Sequence, residues 1–167
     1  AGLSFSWFRS QIDKNIKIVR AMPNLPASIG LGVTGFCKSN NLSKEEDKEV
    51  LLLLSAFSKT IYLNDESMID DVTAISGSGP GYIFYLVEVL SQIGIERGLP
   101  IKDAKTLATE TLIGSARLIE KSDIDPKTLK ENVTSPGGTT EAGLQVLESK
   151  ENGLYPLLKS TINNAVK

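Results

Sequence analysis

The chain has 167 residues, 41% hydrophobic and 23% charged, with a net charge of −2, which is ordinary composition for a globular protein of one large or two small domains. That balance offers no electrostatic case for nucleic acid or an acidic membrane. The lack of histidine removes the commonest general base and metal ligand, and the single cysteine, Cys37, excludes an internal disulfide and argues against zinc and haem sites.

No apolar run is long enough to span a bilayer. The opening "AGLSFSWFRS" lacks the basic region and long apolar core of a signal peptide. With one thiol, a reducing, cytoplasmic setting is the simpler expectation.

Residues 1–64 hold short β-like runs. "IKIVRAM" (Ile16 to Met22) is β-branched and ends in a proline-containing loop, "PNLPASIG". "GVTGFCK" and "TIYLN" are further strand candidates. The segment between them, "SKEEDKEVLLLLSAFSK", has a helical pattern, with Ser43 and Glu46 spaced as a capping box. Strand, strand, helix, strand is the order found at the end of an α/β sheet. Three short strands make a poor sheet alone, so further strands are expected to partner them.

From residue 65 the sequence predicts helix throughout. "DESMIDDVTAIS" is followed by a break at "GSGPG". "YIFYLVEVLSQIGIERG" is apolar nearly all round, as in a helix covered on all sides, often between subunits. Gly98 and Pro100 end it. From Asp103 an i, i+3/i+4 apolar stripe runs to Ile119. Asp125-Pro126 reads as N-cap and first helical residue of a short helix. A last helix is expected after Ser135, interrupted near "KENG".

Three stretches carry candidate chemistry. In "SPGGTT", Ser135 reads as an N-cap and Pro136 as the first helical residue, which puts Gly137, Gly138, Thr139 and Thr140 in the first turn. Bare N–H groups at a helix N-terminus suit a small carboxylate or phosphate, although a capped helix with a loop glycine pair explains the same letters. "SGSGPG" (Ser76 to Gly81) lacks the lysine of a phosphate loop, and glycines for close packing at a kink explain it better. "MPNLP" (Met22 to Pro26) sits where a strand ends, a place for ligands in α/β sheets or a plain turn.

In order and spacing, "VRAMPNLPASIGLGVTGF", "DDVTAISGSGPGYIF" and "LKENVTSPGGTTEAGL" resemble the pyrroline-5-carboxylate reductases, over essentially the whole chain. The resemblance implies an α/β remnant of a Rossmann domain (1–64, its C-terminal part) followed by an all-α dimerisation and substrate-binding domain (65–167), of the type that closes 6-phosphogluconate dehydrogenase. It implies reduction of 1-pyrroline-5-carboxylate to L-proline with NADPH or NADH, the final step of proline biosynthesis, by a homodimer or higher homo-oligomer. No metal, nucleic acid or membrane is implied. The first strands and helices, with the nucleotide-binding turn, are expected to lie outside these residues, roughly a hundred residues or one small domain. The segment by itself is then expected to be inactive.

Residue by residue, the resemblance makes Thr139 and Thr140 substrate contacts, with Thr140 facing the ring nitrogen as the catalytic position. Ser135, Gly137 and Gly138 complete the substrate turn, and Glu66 matches an acidic residue that also touches substrate. Asn132 matches a cofactor contact. Ala1 matches the end of the loop lining the nicotinamide, and Met22 and Asn24 lie in the strand-end loop near the active site. Hydride transfer to a C=N carbon needs chiefly positioning and electrostatics, so the lack of histidine is no obstacle.

Two rivals stand beside this. The β-hydroxyacid dehydrogenases share the two-domain plan, but aligning Gly77 and Gly79 on their helix motif puts Ile83 where they carry a lysine and Val87 where they carry an asparagine, so the hydroxyl-deprotonating base is missing. The other rival is a non-catalytic helical dimerisation module.

Overall fold

A computed structural model describes residues 2–13, 15–39 and 42–166. Two compact units divide the chain, Ala1–Gly81 with Thr161–Lys167, and Tyr82–Ser160.

The first unit is built on a three-stranded sheet, β1 (Val19–Met22), β2 (Gly32–Lys38) and β3 (Ser58–Tyr62), in the order β1-β2-β3. β1 pairs antiparallel to β2, with Val19 opposite Lys38, and β2 pairs parallel to β3, with Gly32 opposite Ser58. Helices α1 (Phe5–Gln11) and α2 (Lys44–Ser55) precede β1 and β3 respectively. β2 is the central strand and is buried along most of its length, as its run "GVTGFC" requires. Its hydroxyl at Thr34 shares a 2.7 Å hydrogen bond with Ser58, whose Oγ also donates to the Leu54 carbonyl at 2.9 Å. A buried polar pair therefore ties β2, β3 and α2 with its groups satisfied.

The capping box of α2 forms as expected. Ser43 Oγ accepts the Glu46 N–H and Glu46 Oε2 accepts the Ser43 N–H. Two expectations are corrected. β1 begins at Val19 rather than Ile16, because Ile16 closes a turn by donating its N–H to the Asp13 carbonyl. "PNLPASIG" is not irregular: Leu25–Ile29 form a 3₁₀ turn closed by Gly30 at φ 74°.

The predicted break at "GSGPG" is also corrected. α3 (Met68–Val72) runs into a π-helical turn, Thr73–Gly77, and after Ser78 the chain re-enters helix as α4 (Gly79–Glu96). The Ser78 N–H reaches back to the Thr73 carbonyl at 2.8 Å. Thr73 and Ser76 return their hydroxyls to the carbonyls of Ile69 and Val72, a pattern that bends helices. A Cβ on Gly77 would lie 2.6 Å from Met22 Cε, so close packing is the role of that glycine, while Gly79 and Gly81 face open space. The core of this unit is Cys37, Leu63 and Ile69, with Phe5, Met22 and Val72 packed against it.

The second unit is helical. α4 ends in a Schellman motif: Gly98, at φ 94°, donates to Ile95, and Leu99 donates to Gly94. α5 (Ile101–Lys121) follows Pro100, and Gly94 fits against Ala104, leaving 3.1 Å for an added Cβ. α6 (Pro126–Asn132) is capped by Asp125, whose carboxylate accepts the N–H groups of Lys127 and Thr128. The Thr128 hydroxyl and these N–H groups hold that carboxyl below its ordinary range. α7 (Thr139–Leu147) and α8 (Leu154–Ala165) complete the chain. Between Tyr82 and Ser160 only Ser91, Ala104, Ala108 and Gly153 are buried.

The packing of α3 on the sheet can be tested at Gly35. An added Cβ there would lie 2.8 Å from Val72 Cγ1, a stiff β-branched side chain, whereas at Gly77 it would meet the flexible end of Met22. Gly35→Ala is expected to cost about 1–3 kcal/mol of stability by urea unfolding, and Gly77→Ala less.

Candidate functional site

The Ser135–Thr140 stretch is a tight turn followed by a helix start. Gly138 donates its N–H to the Ser135 carbonyl at 2.9 Å, and Gly137 has φ 71°. Proline second and a positive-φ glycine third are what a type II turn requires. Helix α7 then begins at Thr139 with Gly138 as its N-cap, and Ala142 donates to the Gly138 carbonyl at 3.2 Å. The expected N-cap at Ser135 is thus overturned: Gly137 cannot be helical at positive φ, so the helix opens three residues later. No side chain caps the helix at Gly138. Instead Glu141 Oε2 accepts the Gly137 N–H at 2.8 Å and braces the turn from inside the first helical turn.

The consequence for chemistry is favourable. Thr139, Thr140 and Glu141 are now the first three helical residues, and their N–H groups have no intrahelical carbonyl to receive them. Ser135, Gly137, Thr139 and Thr140 are exposed. Asn132, the last residue of α6, is also exposed and lies just ahead of the turn. Lys130 of α6 pairs with Glu148 at the end of α7, bracing the two helices that flank the turn. This Glu148 contact holds the Lys130 ammonium above its ordinary range.

Other residues expected to serve the site belong to the first unit and have structural partners there. Met22 packs on Gly77 and the core. Asn24 Oδ1 accepts the Val33 N–H at 3.0 Å and pins the end of β1 to the start of β2. Glu66 Oε1 accepts from the Phe5 N–H at 2.6 Å and from Arg20 Nη1 at 3.0 Å, while Arg20 Nη2 lies 3.6 Å from Asp70. Ala1 lies outside the described residues. Cys37, beside this cluster, has its thiol pushed up by burial and by the Glu66 carboxylate.

The Arg20 cluster escaped sequence reasoning, because its members are 46 and 61 residues apart and no local pattern links them. The letters "GLGVTG" (Gly30 to Gly35) spell G-x-G-x-x-G, but Gly32–Lys38 is a strand, whereas a dinucleotide turn follows a strand and opens a helix. Among the described residues no group of three or more acidic, cysteine or histidine side chains is placed to hold a metal, and no helix is long and apolar enough to cross a membrane.

A small mixed sheet followed by a helical region, with a bare helix mouth preceded by a Pro-Gly-Gly turn, defines the two-part class to which the comparisons point. The family model described as pyrroline-5-carboxylate reductase dimerisation matches residues 66–167, and the chain belongs to that family. It is 39% identical over 147 residues to the pyrroline-5-carboxylate reductase of Staphylococcus epidermidis, covering 88% of this chain and 54% of that protein. The structure of the Coxiella burnetii pyrroline-5-carboxylate reductase superposes with a TM-score of 0.89 at 34% identity, over 98% of this chain and 60% of that one. The Plasmodium falciparum pyrroline carboxylate reductase, solved with NADP bound, gives 0.88 at 32% identity, over 99% and 65%. The chain therefore spans little more than half the length of the curated relatives it matches.

The turn geometry makes a specific claim about Ser135 and Glu141. Ser135→Ala should leave stability within about 0.5 kcal/mol, as for a surface substitution, because its hydroxyl caps no helix. Glu141→Ala removes the acceptor for Gly137 and should cost about 0.5–1.5 kcal/mol. Thermal unfolding of the two variants checks the order.

Proposed function

We propose that these residues are the C-terminal part of an enzyme that reduces 1-pyrroline-5-carboxylate to L-proline with NADPH or NADH, as the final step of proline biosynthesis. Residues 1–64 are read as the last part of its nucleotide-binding Rossmann domain, and residues 65–167 as its helical dimerisation and substrate domain. The outer strands β1 and β3 each pair on one side only, and α2 leaves Leu52 77% and Leu53 67% exposed, both of which support a sheet and helix layer completed by further elements. The buried, unpaired Cys37 is in keeping with a reducing, cytoplasmic setting.

The observation that carries the reading is the bare first turn of α7. The substrate presents a carboxylate and a ring nitrogen that is positively charged as the iminium. The N–H groups of Thr139, Thr140 and Glu141, with the positive end of the helix dipole, suit the carboxylate. Gly138 adds no side chain at the N-cap, and the Glu141 carboxylate is turned to the Gly137 N–H. The Thr140 hydroxyl is assigned to the ring nitrogen, where it orients the C=N face. Bound NAD(P)H supplies the hydride. The exposed Asn132 amide of the second unit fits a polar cofactor contact. In the first unit, Met22 and Asn24, which the resemblance gives to the cofactor, shape the strand-end loop through the packing and hydrogen bond already given. The Plasmodium relative with NADP bound supports a nicotinamide cofactor of this class.

No base is needed at the reacting carbon, and the chain's contribution is binding and orientation. That matches a sequence with no histidine. The dehydrogenase rival gains nothing from the structure, since Ile83 and Val87 lie on α4 with no proton-accepting side chain at either position.

The test is a hydroxyl series at Thr140 in a protein that carries these residues with a complete nucleotide-binding domain. Thr140→Ala should lower kcat/KM for pyrroline-5-carboxylate about ten- to a hundredfold, the loss of one hydrogen bond to a charged group. Thr140→Ser should restore most of it. Unchanged kinetics in Thr140→Ala would assign the turn to the helix alone. Residues 1–167 by themselves, with no strand-turn-helix phosphate site among the described residues, are expected to show no NADPH oxidation.

A further inference from the structure

The cluster at Arg20 links β1, the start of α1 and the segment from Glu66 to Asp70, and the geometry of the α7 turn makes no use of it. Phe5 is the first residue of α1, so its N–H has no intrahelical acceptor and needs one from elsewhere. Glu66 Oε1 supplies it at 2.6 Å across 61 residues of sequence. The same oxygen accepts from Arg20 Nη1 at 3.0 Å, and Arg20, only 12% exposed, reaches Asp70 with its other arm at 3.6 Å. A guanidinium held between two carboxylates is a fixed donor fork, and it leaves Glu66 one orientation.

The other contacts of helix α1 lie near the surface. None of its residues is buried, although the Phe5 ring packs against the Cys37–Leu63–Ile69 core, and Arg9 Nη1 donates to the Ile16 carbonyl. Ahead of Phe5 the backbone passes through Gly2 at φ 83° and Ser4, whose hydroxyl caps α1 at Trp7. The Glu66–Phe5 bond holds the first residue of α1 and with it the start of the helix that the Gly2–Ser4 backbone leads into.

We propose that Arg20 and Glu66 are a positioning pair: Arg20 orients the Glu66 carboxylate so that it holds the Phe5 N–H, and so fixes the Gly2–Ser4 segment that follows Ala1, the residue the resemblance gives to the end of the nicotinamide loop. Glu66 thereby acts on the chain rather than on the substrate. The link to the nicotinamide rests on the reductase reading given above; the hold on α1 does not.

Amide hydrogen exchange of the 167-residue chain, read at Phe5 by NMR, tests the hold. Glu66→Ala should speed Phe5 exchange about ten- to a hundredfold, the loss of one charge-assisted hydrogen bond, while the Phe36 amide in β2 stays within twofold. Glu66→Gln, whose amide oxygen still accepts, should recover most of the protection. Should Glu66→Ala not fold, Arg20→Lys carries the same test, since it loses the fork and should raise Phe5 exchange severalfold. In the intact reductase, Glu66→Ala should lower kcat with the KM for pyrroline-5-carboxylate within twofold, and Glu66→Gln should rescue it. Phe5 exchange unchanged in Glu66→Ala, or a raised substrate KM that Glu66→Gln fails to rescue, overturns the proposal. Faster Phe5 exchange in Glu66→Ala, together with no reductase activity from a wild-type protein that carries these residues with a complete nucleotide-binding domain, upholds the hold on α1 and rejects the reductase reading.

Discussion

Unburied apolar surface is the constraint on which the helical part of this protein depends. Tyr82–Ser160 forms helices yet buries only a serine, two alanines and a glycine. On α4 alone Ile83, Phe84, Tyr85, Leu86, Leu90 and Ile93 are exposed. Covering one such side chain is worth about 1.5–3 kcal/mol, so covering six is worth on the order of 10 kcal/mol, comparable to the stability of a whole domain. Helix capping contributes about 1 kcal/mol per site and cannot substitute for it. The helices are set locally, by Asp125, Gly98 and Pro100, while their exposed apolar faces call for a covering surface, which the proposed reading assigns to a second copy of the chain. A family described by its dimerisation domain fits that requirement.

The sheet unit is organised differently. Its order comes from long-range polar pairs over a small core. Thr34 and Ser58 join strands to helix, Asn24 joins β1 to β2, and Arg20 joins β1 to Glu66 and Asp70. Glycines at 32, 35 and 77 allow these elements to approach, since a Cβ at each would fall within 3.0 Å of a neighbouring atom. Met22 meets Gly77 where the π turn inserts its extra residue, so the strand-end loop and the helix kink are shaped against one another. Such turns often mark functional sites, and here the π turn sits beside the loop assigned to the cofactor side.

Much of this was legible in the letters, for a physical reason: local signals report local structure. Ser43 with Glu46, Asp125 with Pro126, and Gly98 before Pro100 each satisfy orphan backbone groups within a few residues, and each element ends where they indicate. The letters put the start of α7 three residues early because Ser135-Pro136 suits an N-cap as well as a turn; the deciding fact is the positive φ of Gly137, which Pro-Gly foreshadows. The π turn and the short α1 carry no periodicity that separates them from ordinary helix or loop. The partners of Glu66 were illegible because they depend on tertiary contact: Arg20 and the Phe5 N–H, 46 and 61 residues away, both meet Oε1 of the carboxylate that the resemblance assigns to substrate.

Sedimentation velocity of the 167-residue chain tests the central claim most directly. The account predicts a dimer or larger assembly at micromolar concentration, and dissociation with loss of helical structure when Phe84 and Leu86 on α4 are both replaced by lysine. A monomer that stays helical and unfolds cooperatively, with α4 open to solvent, would contradict it.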